Sequence, residues 1–151
     1  MTLITFLQLT IFTVYVLFIY DRYGVLPSIS TSTYRLEGQQ RWYFLVFLWS
    51  IGLLNLGQGM EIYGFLATIS FIFTGITIDF RRRMAKQIHG IGAAGTIIFT
   101  YVGLWVLHGI WFPSVLLPIA MLILYIYRRK DFVWWLEIVA MILGIAGYVA
   151  R

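Results

Sequence analysis

The sequence contains no cysteine and few charged residues. Without cysteine the chain has no disulfide framework, no thiolate metal site and no thiol nucleophile. Charged residues make up only 11% of the 151 residues, whereas 61% are hydrophobic, and the mean hydropathy is +0.87. These proportions exclude an ordinary soluble domain and are typical of a chain that crosses a membrane several times.

Several functional motifs are also absent. The chain has no glycine-rich phosphate loop, no His-Glu-x-x-His helix and no dinucleotide-binding fingerprint. The first apolar run lacks a basic leader and a small-residue cleavage site, so we interpret it as a retained helix and not a signal peptide. No cofactor follows from the sequence, and the oligomeric state is left open. The net charge of +5 comes from basic residues that flank apolar runs, which indicates anionic lipid headgroups as partners and argues against nucleic acid.

Six apolar runs divide the chain, and they cover residues 3–20, 42–56, 62–78, 88–107, 111–127 and 132–149. A helix needs about 20 apolar residues to cross the bilayer core, so each run qualifies or nearly does. Gly57-Gln58-Gly59 predicts a turn between the second and third runs, and His108-Gly109 separates the fourth and fifth. We therefore predict an all-α polytopic membrane protein in which residues 1–151 form one domain, a compact bundle of six transmembrane helices with short loops.

Ten of the eleven Lys and Arg residues fall in three alternate gaps between these runs. The gaps hold Arg22, Arg35 and Arg41, then Arg81, Arg82, Arg83 and Lys86, then Arg128, Arg129 and Lys130. Because cytoplasmic loops collect Lys and Arg, these gaps are predicted to be cytoplasmic. Six crossings then leave both termini extracytoplasmic, in a plasma or inner membrane. We call the membrane side that carries the three basic gaps the basic face.

Small residues cluster in two of the predicted helices. Gly90, Gly92, Ala93, Ala94 and Gly95 lie near the start of the fourth run, and Ala140, Gly144 and Gly147 lie along the sixth. Small residues let helix backbones approach closely in a membrane, where lipid tails give no hydrophobic drive for association. We therefore expect both groups to mark helix contacts.

Four polar residues stand out because hydropathy does not explain them. Glu137 lies about 9 Å along the sixth run, where a carboxylate is costly unless it is paired, protonated or facing a polar cavity. Asp79 ends the third run and His89 opens the fourth, both at the basic face. The first gap, which we call loop one, adds Ser30 among several hydroxyls. We predict that these four residues converge on one polar pocket at the basic face, with an Arg at its rim.

Two short motifs resemble a known family. Pro27-Ser28-Ile29-Ser30 is similar to the Pro-x-Ile-Ser segment of the FGF-receptor-activating-protein, DRAM and Sfk family, and His89-Gly90-Ile91-Gly92-Ala93 is similar to that family's His-x-x-Gly-Ala helix. Small bacterial and phage proteins share the pattern. The resemblance implies six membrane helices and a link to lipid remodelling of glycolipid anchors, phospholipid distribution or autophagy. Thr31 stands where the family commonly has Asp, and the family's first loop lies outside the cytosol, opposite to the charge count.

The function that we favour from the sequence is non-enzymatic. In this hypothesis the protein binds or organises membrane lipid through the polar pocket, and an anionic headgroup contacts Arg35, Arg81, Arg82 and Glu137. Membrane lipids are then the expected partners.

Two other function classes stay open. A membrane-embedded lipid-modifying enzyme would use Ser30, His89 and Asp79 as catalytic residues for acyl transfer or hydrolysis, or would hold a metal between His89, Asp79 and Glu137. A small transporter is the third class. It is less favoured because the chain has only one clearly intramembrane acid and no visible inverted repeat.

Overall fold

The computed structural model describes residues 1–76 and 83–151, and no strand occurs among them. The described helices are α1 (Leu3–Tyr23), α2 (Ser32–Arg35), α3 (Arg41–Leu56), α4 (Glu61–Ile76), α5 (Arg83–His108), α6 (Phe112–Tyr127) and α7 (Phe132–Ala150). Short 3-10 turns cover Ile29–Thr31, Gly38–Gln40 and Arg129–Asp131. Each predicted run corresponds to one long helix. The helix of the fourth run begins at Arg83 and not at residue 88, because polar residues extend it beyond the apolar segment.

By length and composition, three stretches of the described residues are able to cross a membrane: Leu3–Tyr23, Gln87–His108 and Arg129–Ala150. Glu61–Gly75 and Phe112–Tyr127 are apolar but shorter. Large apolar side chains cover much of the outer surface, on the shorter helices as well as the longer ones. The fold is thus an all-helical one with three helices suited to membrane insertion.

Five of the long helices form a ring. α1 packs against α3 and α7, α3 packs against α4, α4 against α5, and α5 against α7. α6 packs mainly on α7 and lies outside this ring. The arrangement leaves space at the centre of the ring, where the candidate site is found.

Glycines allow the closest helix contact, between α4 and α5. A Cβ atom on Gly92 would lie 2.6 Å from Thr74 Oγ1 and 2.8 Å from the carbonyl oxygen of Ser70, so no larger residue fits without a backbone shift. A Cβ on Gly147 would likewise meet α5. The predicted contacts are confirmed at these positions, whereas an added Cβ on Gly90 has no atom of the described residues within 4 Å.

Loop one is folded into the bundle. Ser28 caps the Ile29–Thr31 turn through reciprocal hydrogen bonds with Thr31. The loop also contributes apolar side chains to the main core: Leu26, Ile29 and Leu36. Glycines with positive φ values, Gly24 at 70° and Gly38 at 53°, turn the chain at either end of this segment. Loop one therefore closes one end of the helix ring and is not a simple spacer.

Candidate functional site

A cavity of about 110 Å³ occupies the centre of the ring. Residues of α1, loop one, α3, α4, α5 and α7 line it, and no residue of α6 does. On α7 the lining extends from Glu137 to Tyr148, which is about 16 Å along the helix axis at 1.5 Å per residue. The cavity is therefore elongated along the bundle, with a mainly apolar middle and polar groups towards both ends.

The two ends differ in their chemistry. We call the end next to loop one the carboxylate end, and its polar lining residues are Ser30, His89, Thr96 and Glu137. We call the opposite end the amide end, where Gln8, Asn55 and Tyr148 line the cavity and Thr5, Gln58 and Arg151 lie behind them. Apolar and aromatic side chains separate these ends, among them Phe47, Ile51 and Phe71.

Glu137 points into the bundle and contacts loop one. Its Oε2 accepts a hydrogen bond from the backbone N–H of Ile29, and this is the one bond recorded for that carboxylate within the described ranges. The cost of a lipid-facing acid predicts an interior position for Glu137, with His89 or a residue of loop one as its partner. The interior position is confirmed, and the partner Ile29 belongs to loop one.

Ser30 and His89 line the same cavity but bond to other groups. Ser30 Oγ lies 2.9 Å from Ser28 Oγ. His89 Nδ1 lies 2.9 Å from the carbonyl oxygen of Thr74, and since a carbonyl only accepts, Nδ1 is the donor. Among the hydrogen bonds between described residues, none joins the Ser30 hydroxyl to the His89 imidazole, which is the bond that an acyl-transfer site requires.

The predicted site residues divide into three groups. Those that line the cavity are Ser30, His89 and Glu137. Asp79, Arg81 and Arg82 lie outside the described residues. Arg35 ends α2, is exposed, and is not part of the cavity lining. Within residues 1–76 and 83–151, no group of three or more His, Cys, Asp or Glu side chains is placed to hold a metal ion.

One hydroxyl at the carboxylate end has no partner. Thr96 Oγ1 is buried without a hydrogen bond, and Trp135 Nε1 is the other such atom among the described residues. Gly144 of α7 contacts Thr100 and Tyr101 of α5. Thr96 precedes Thr100 by about 6 Å and Glu137 precedes Gly144 by about 10 Å along parallel helices, so Thr96 lies about 4 Å closer to the middle of the cavity than Glu137 does.

The amide end is a network of side chains bonded to one another. Gln8 Nε2 donates to Asn55 Oδ1 at 2.8 Å, and Gln58 Nε2 donates to Gln8 Oε1 at 2.6 Å. Tyr148 OH donates to Asn55 Oδ1 at 3.1 Å. Arg151 Nη2 donates to Gln58 Oε1 at 2.7 Å. The network ties α1, the α3–α4 connection and the end of α7 together.

Our sequence analysis missed this network. Gln8 and Asn55 sit inside apolar runs, where the averaged hydropathy conceals an uncharged amide. Gln58 occupies a glycine-rich turn that is normally exposed, yet its exposed fraction is 0%. The amide side chains inside the apolar runs were themselves a signal. Burying an amide without a hydrogen bond is costly, so a buried amide predicts a hydrogen-bonding partner.

No family model matches the chain, and no curated protein or solved structure matches it either. The resemblance of its two short motifs therefore stays a hypothesis. Functional inference must come from the site itself, since a fold alone does not imply an activity.

Proposed function

We propose that this chain is an integral membrane protein whose six long helices all cross the bilayer, and that it binds membrane lipid non-enzymatically at the carboxylate end of its cavity. The observation that carries this proposal is the cavity itself, with an acid, an imidazole and a hydroxyl gathered at one end beneath loop one. A polar group inside a membrane helix costs free energy, so a cluster of such groups favours a functional role.

The shorter helices support six crossings. α3 and α6 each contain 16 residues, and the described part of α4 contains 16 as well; this is about 24 Å, against about 30 Å of hydrocarbon core. Their outward side chains are apolar, for example Val46, Phe65 and Leu122 at 60%, 50% and 63% exposure. Helices slightly shorter than the core are accommodated by local thinning of the bilayer at modest cost. In this arrangement loop one and the connection between α6 and α7 lie at the basic face, which we propose to be cytoplasmic, with both termini outside.

We further propose that Arg side chains near the carboxylate end bind a lipid phosphate. Arg35 is exposed in loop one, and Arg81 and Arg82 belong to the basic segment between α4 and α5 in the sequence. Arg binds phosphate oxygens through bidentate hydrogen bonds. We assign the phosphate to these three residues and the inner part of the headgroup to the cavity.

An enzymatic role is the second candidate, because Ser30 and His89 line the same cavity. An acyl-transfer or hydrolysis reaction would need the imidazole to take the proton of the hydroxyl. The bonds of Ser30 to Ser28 and of His89 to Thr74 support binding without turnover. Under the enzymatic hypothesis the purified protein converts lipid, and Ser30→Ala abolishes that conversion.

The test is to fill the cavity. In Gly144→Leu the new side chain projects towards the cavity that Gly144 lines, whereas Gly90→Leu adds the same side chain outside the cavity lining, where no atom of the described residues lies within 4 Å of the Cβ. We expect about a tenfold loss of lipid retained through purification, measured by native mass spectrometry, in Gly144→Leu alone; that ratio corresponds to about 1.4 kcal/mol.

Gly144→Ala is the milder variant if Gly144→Leu does not fold, since an added Cβ would meet its nearest neighbours at 3.7 Å, an ordinary contact. It is expected to retain the fold and to bind less lipid than wild type. Equal lipid retention in wild type and all the folded variants contradicts the proposed function.

A further inference from the structure

The cavity carries an unbalanced charge. Glu137 is the one Asp or Glu among its lining residues, and no Lys or Arg is placed there by the described part of the chain. A single backbone N–H is the recorded partner of the carboxylate. A carboxylate inside a membrane helix needs a partner. A cation is therefore the ligand group that would complement this carboxylate, since none of the described lining residues is a Lys or an Arg.

Aromatic rings line the same space. Phe44, Phe47 and Phe71 come from α3 and α4, and the ring centroids of Phe44 and Phe47 are 6.4 Å apart. Tyr101 donates its hydroxyl to the carbonyl of Ala140, one turn beyond Glu137, and its ring lines the cavity. The faces of aromatic rings attract cations within about 6 Å of the centroid. Acid and aromatic groups together are the usual surroundings of a bound ammonium group.

The size of the cavity limits the ligand. A cavity of about 150 Å³ accommodates a benzene-sized molecule, and this one measures about 110 Å³. It therefore suits a group of a few heavy atoms and not a whole lipid. The buried Thr96 hydroxyl, which has no hydrogen-bond partner among the described residues, adds a hydrogen-bond acceptor about 4 Å further into the cavity than Glu137.

We infer that the carboxylate end binds an ammonium group, held by Glu137 and the Thr96 hydroxyl, next to the aromatic side chains that line the cavity. The identity of the molecule that carries the ammonium group rests on the proposed function. We take this ligand to be a phospholipid whose headgroup ends in an amine, with its phosphate at the rim. A free alkylamine offers the same chemistry, and the experiment separates the two sources.

The experiment measures ligand binding to the purified full chain in a non-ionic detergent. Phosphatidylethanolamine is compared with phosphatidylglycerol of the same acyl chains by native mass spectrometry, and hexylamine with hexanol by thermal shift. We expect about a tenfold preference for phosphatidylethanolamine, equivalent to about 1.4 kcal/mol. Hexylamine should raise the melting temperature more than hexanol does.

Variants assign the preference to the site. Glu137→Gln keeps the shape and still accepts from the Ile29 N–H, so it should fold and lose the preference. Glu37→Gln, an exposed acid in loop one, is the matched control and should retain it. Thr96→Val removes only the unpartnered hydroxyl and should reduce the preference by a smaller factor.

Each outcome decides one of the proposals. Binding of both phospholipids without preference, or a preference that survives in Glu137→Gln, overturns the ammonium site and leaves lipid binding intact. Binding of hexylamine without either phospholipid overturns the proposed lipid function and retains the ammonium site. Absence of binding by all four compounds overturns both.

Discussion

At the amide end of the cavity, polar side chains bond mainly to other side chains, whereas at the carboxylate end they bond to the backbone, to a loop hydroxyl or, for Thr96, to nothing. Both clusters lie inside the same helix ring. The amide end has no buried unpaired side-chain atom among the residues that the structure describes. The carboxylate end has one such atom, the Thr96 hydroxyl oxygen, and its acid, Glu137, accepts a single recorded hydrogen bond.

This difference indicates different roles. A fully paired polar network stabilises one arrangement of the helices, whereas a partly paired network is costly and leaves groups available for a ligand. The amide end therefore serves to hold α1, α3 and α7 together. Under our proposal the carboxylate end is less stabilising and provides the binding site. Substitutions at the two ends should separate stability from binding.

The largest expected effect concerns which end faces the cytoplasm. Because the chain has no cysteine, single cysteines at the exposed positions Gln39 and Lys130 report on the basic face, and one at His108 reports on the opposite face. In intact cells an impermeant thiol reagent should label the His108→Cys variant and leave the other two unlabelled. The reverse pattern would place the carboxylate end outside, as in the family that the short motifs resemble.

Substitution at the amide end should produce the largest loss of stability. Gln8→Leu removes the side chain that bonds both Asn55 and Gln58, so we expect the free energy of unfolding to fall by about 1–3 kcal/mol. The lipid bound by the folded fraction should not change. Thermal and denaturant unfolding measure the first effect, and native mass spectrometry the second.

The control for this variant is Gln39→Leu, which makes the same change at an exposed position and should alter stability by less than about 0.5 kcal/mol. If Gln8→Leu is as stable as Gln39→Leu, the amide network does not hold the helices together.

Substitution at the carboxylate end should cost less stability and more binding. His89→Ala removes the donor to the Thr74 carbonyl, so we expect a loss of about 1 kcal/mol, typical of one hydrogen bond. Lipid retention should fall several-fold in the same variant because the imidazole lines the binding cavity. A His89→Ala protein with wild-type lipid retention would remove His89 from the site and show that the resemblance to the family helix has been given too much weight.

The sequence was sufficient to predict the six long helices and two polar residues of the carboxylate end, but not the amide end. Six apolar runs predicted six long helices because burial and lipid contact both select apolar residues. Glu137 and His89 were recognised because charged or titratable groups interrupt such runs conspicuously. Their meeting in one cavity followed from the alternating direction of the helices.

The remaining features depend on the rotation and depth of each helix, and the hydropathy pattern gives no information about either. Gln8, Asn55 and Gln58 meet only because α1 and α3 present one particular face to each other. Loop one enters the core through Ile29 and Leu36, two apolar residues that the sequence analysis did not single out. The sequence contains these residues but not the register that brings them together.

The most direct test of the account is a structure of the protein in lipid nanodiscs prepared from native membranes, at a resolution that shows lipid headgroups. We predict a headgroup density at the carboxylate end, beside Glu137 and Thr96, and side chains alone at the amide end around Gln8 and Asn55. A headgroup at the amide end, or only ordered water beside Glu137, would contradict the assignment of binding to the carboxylate end.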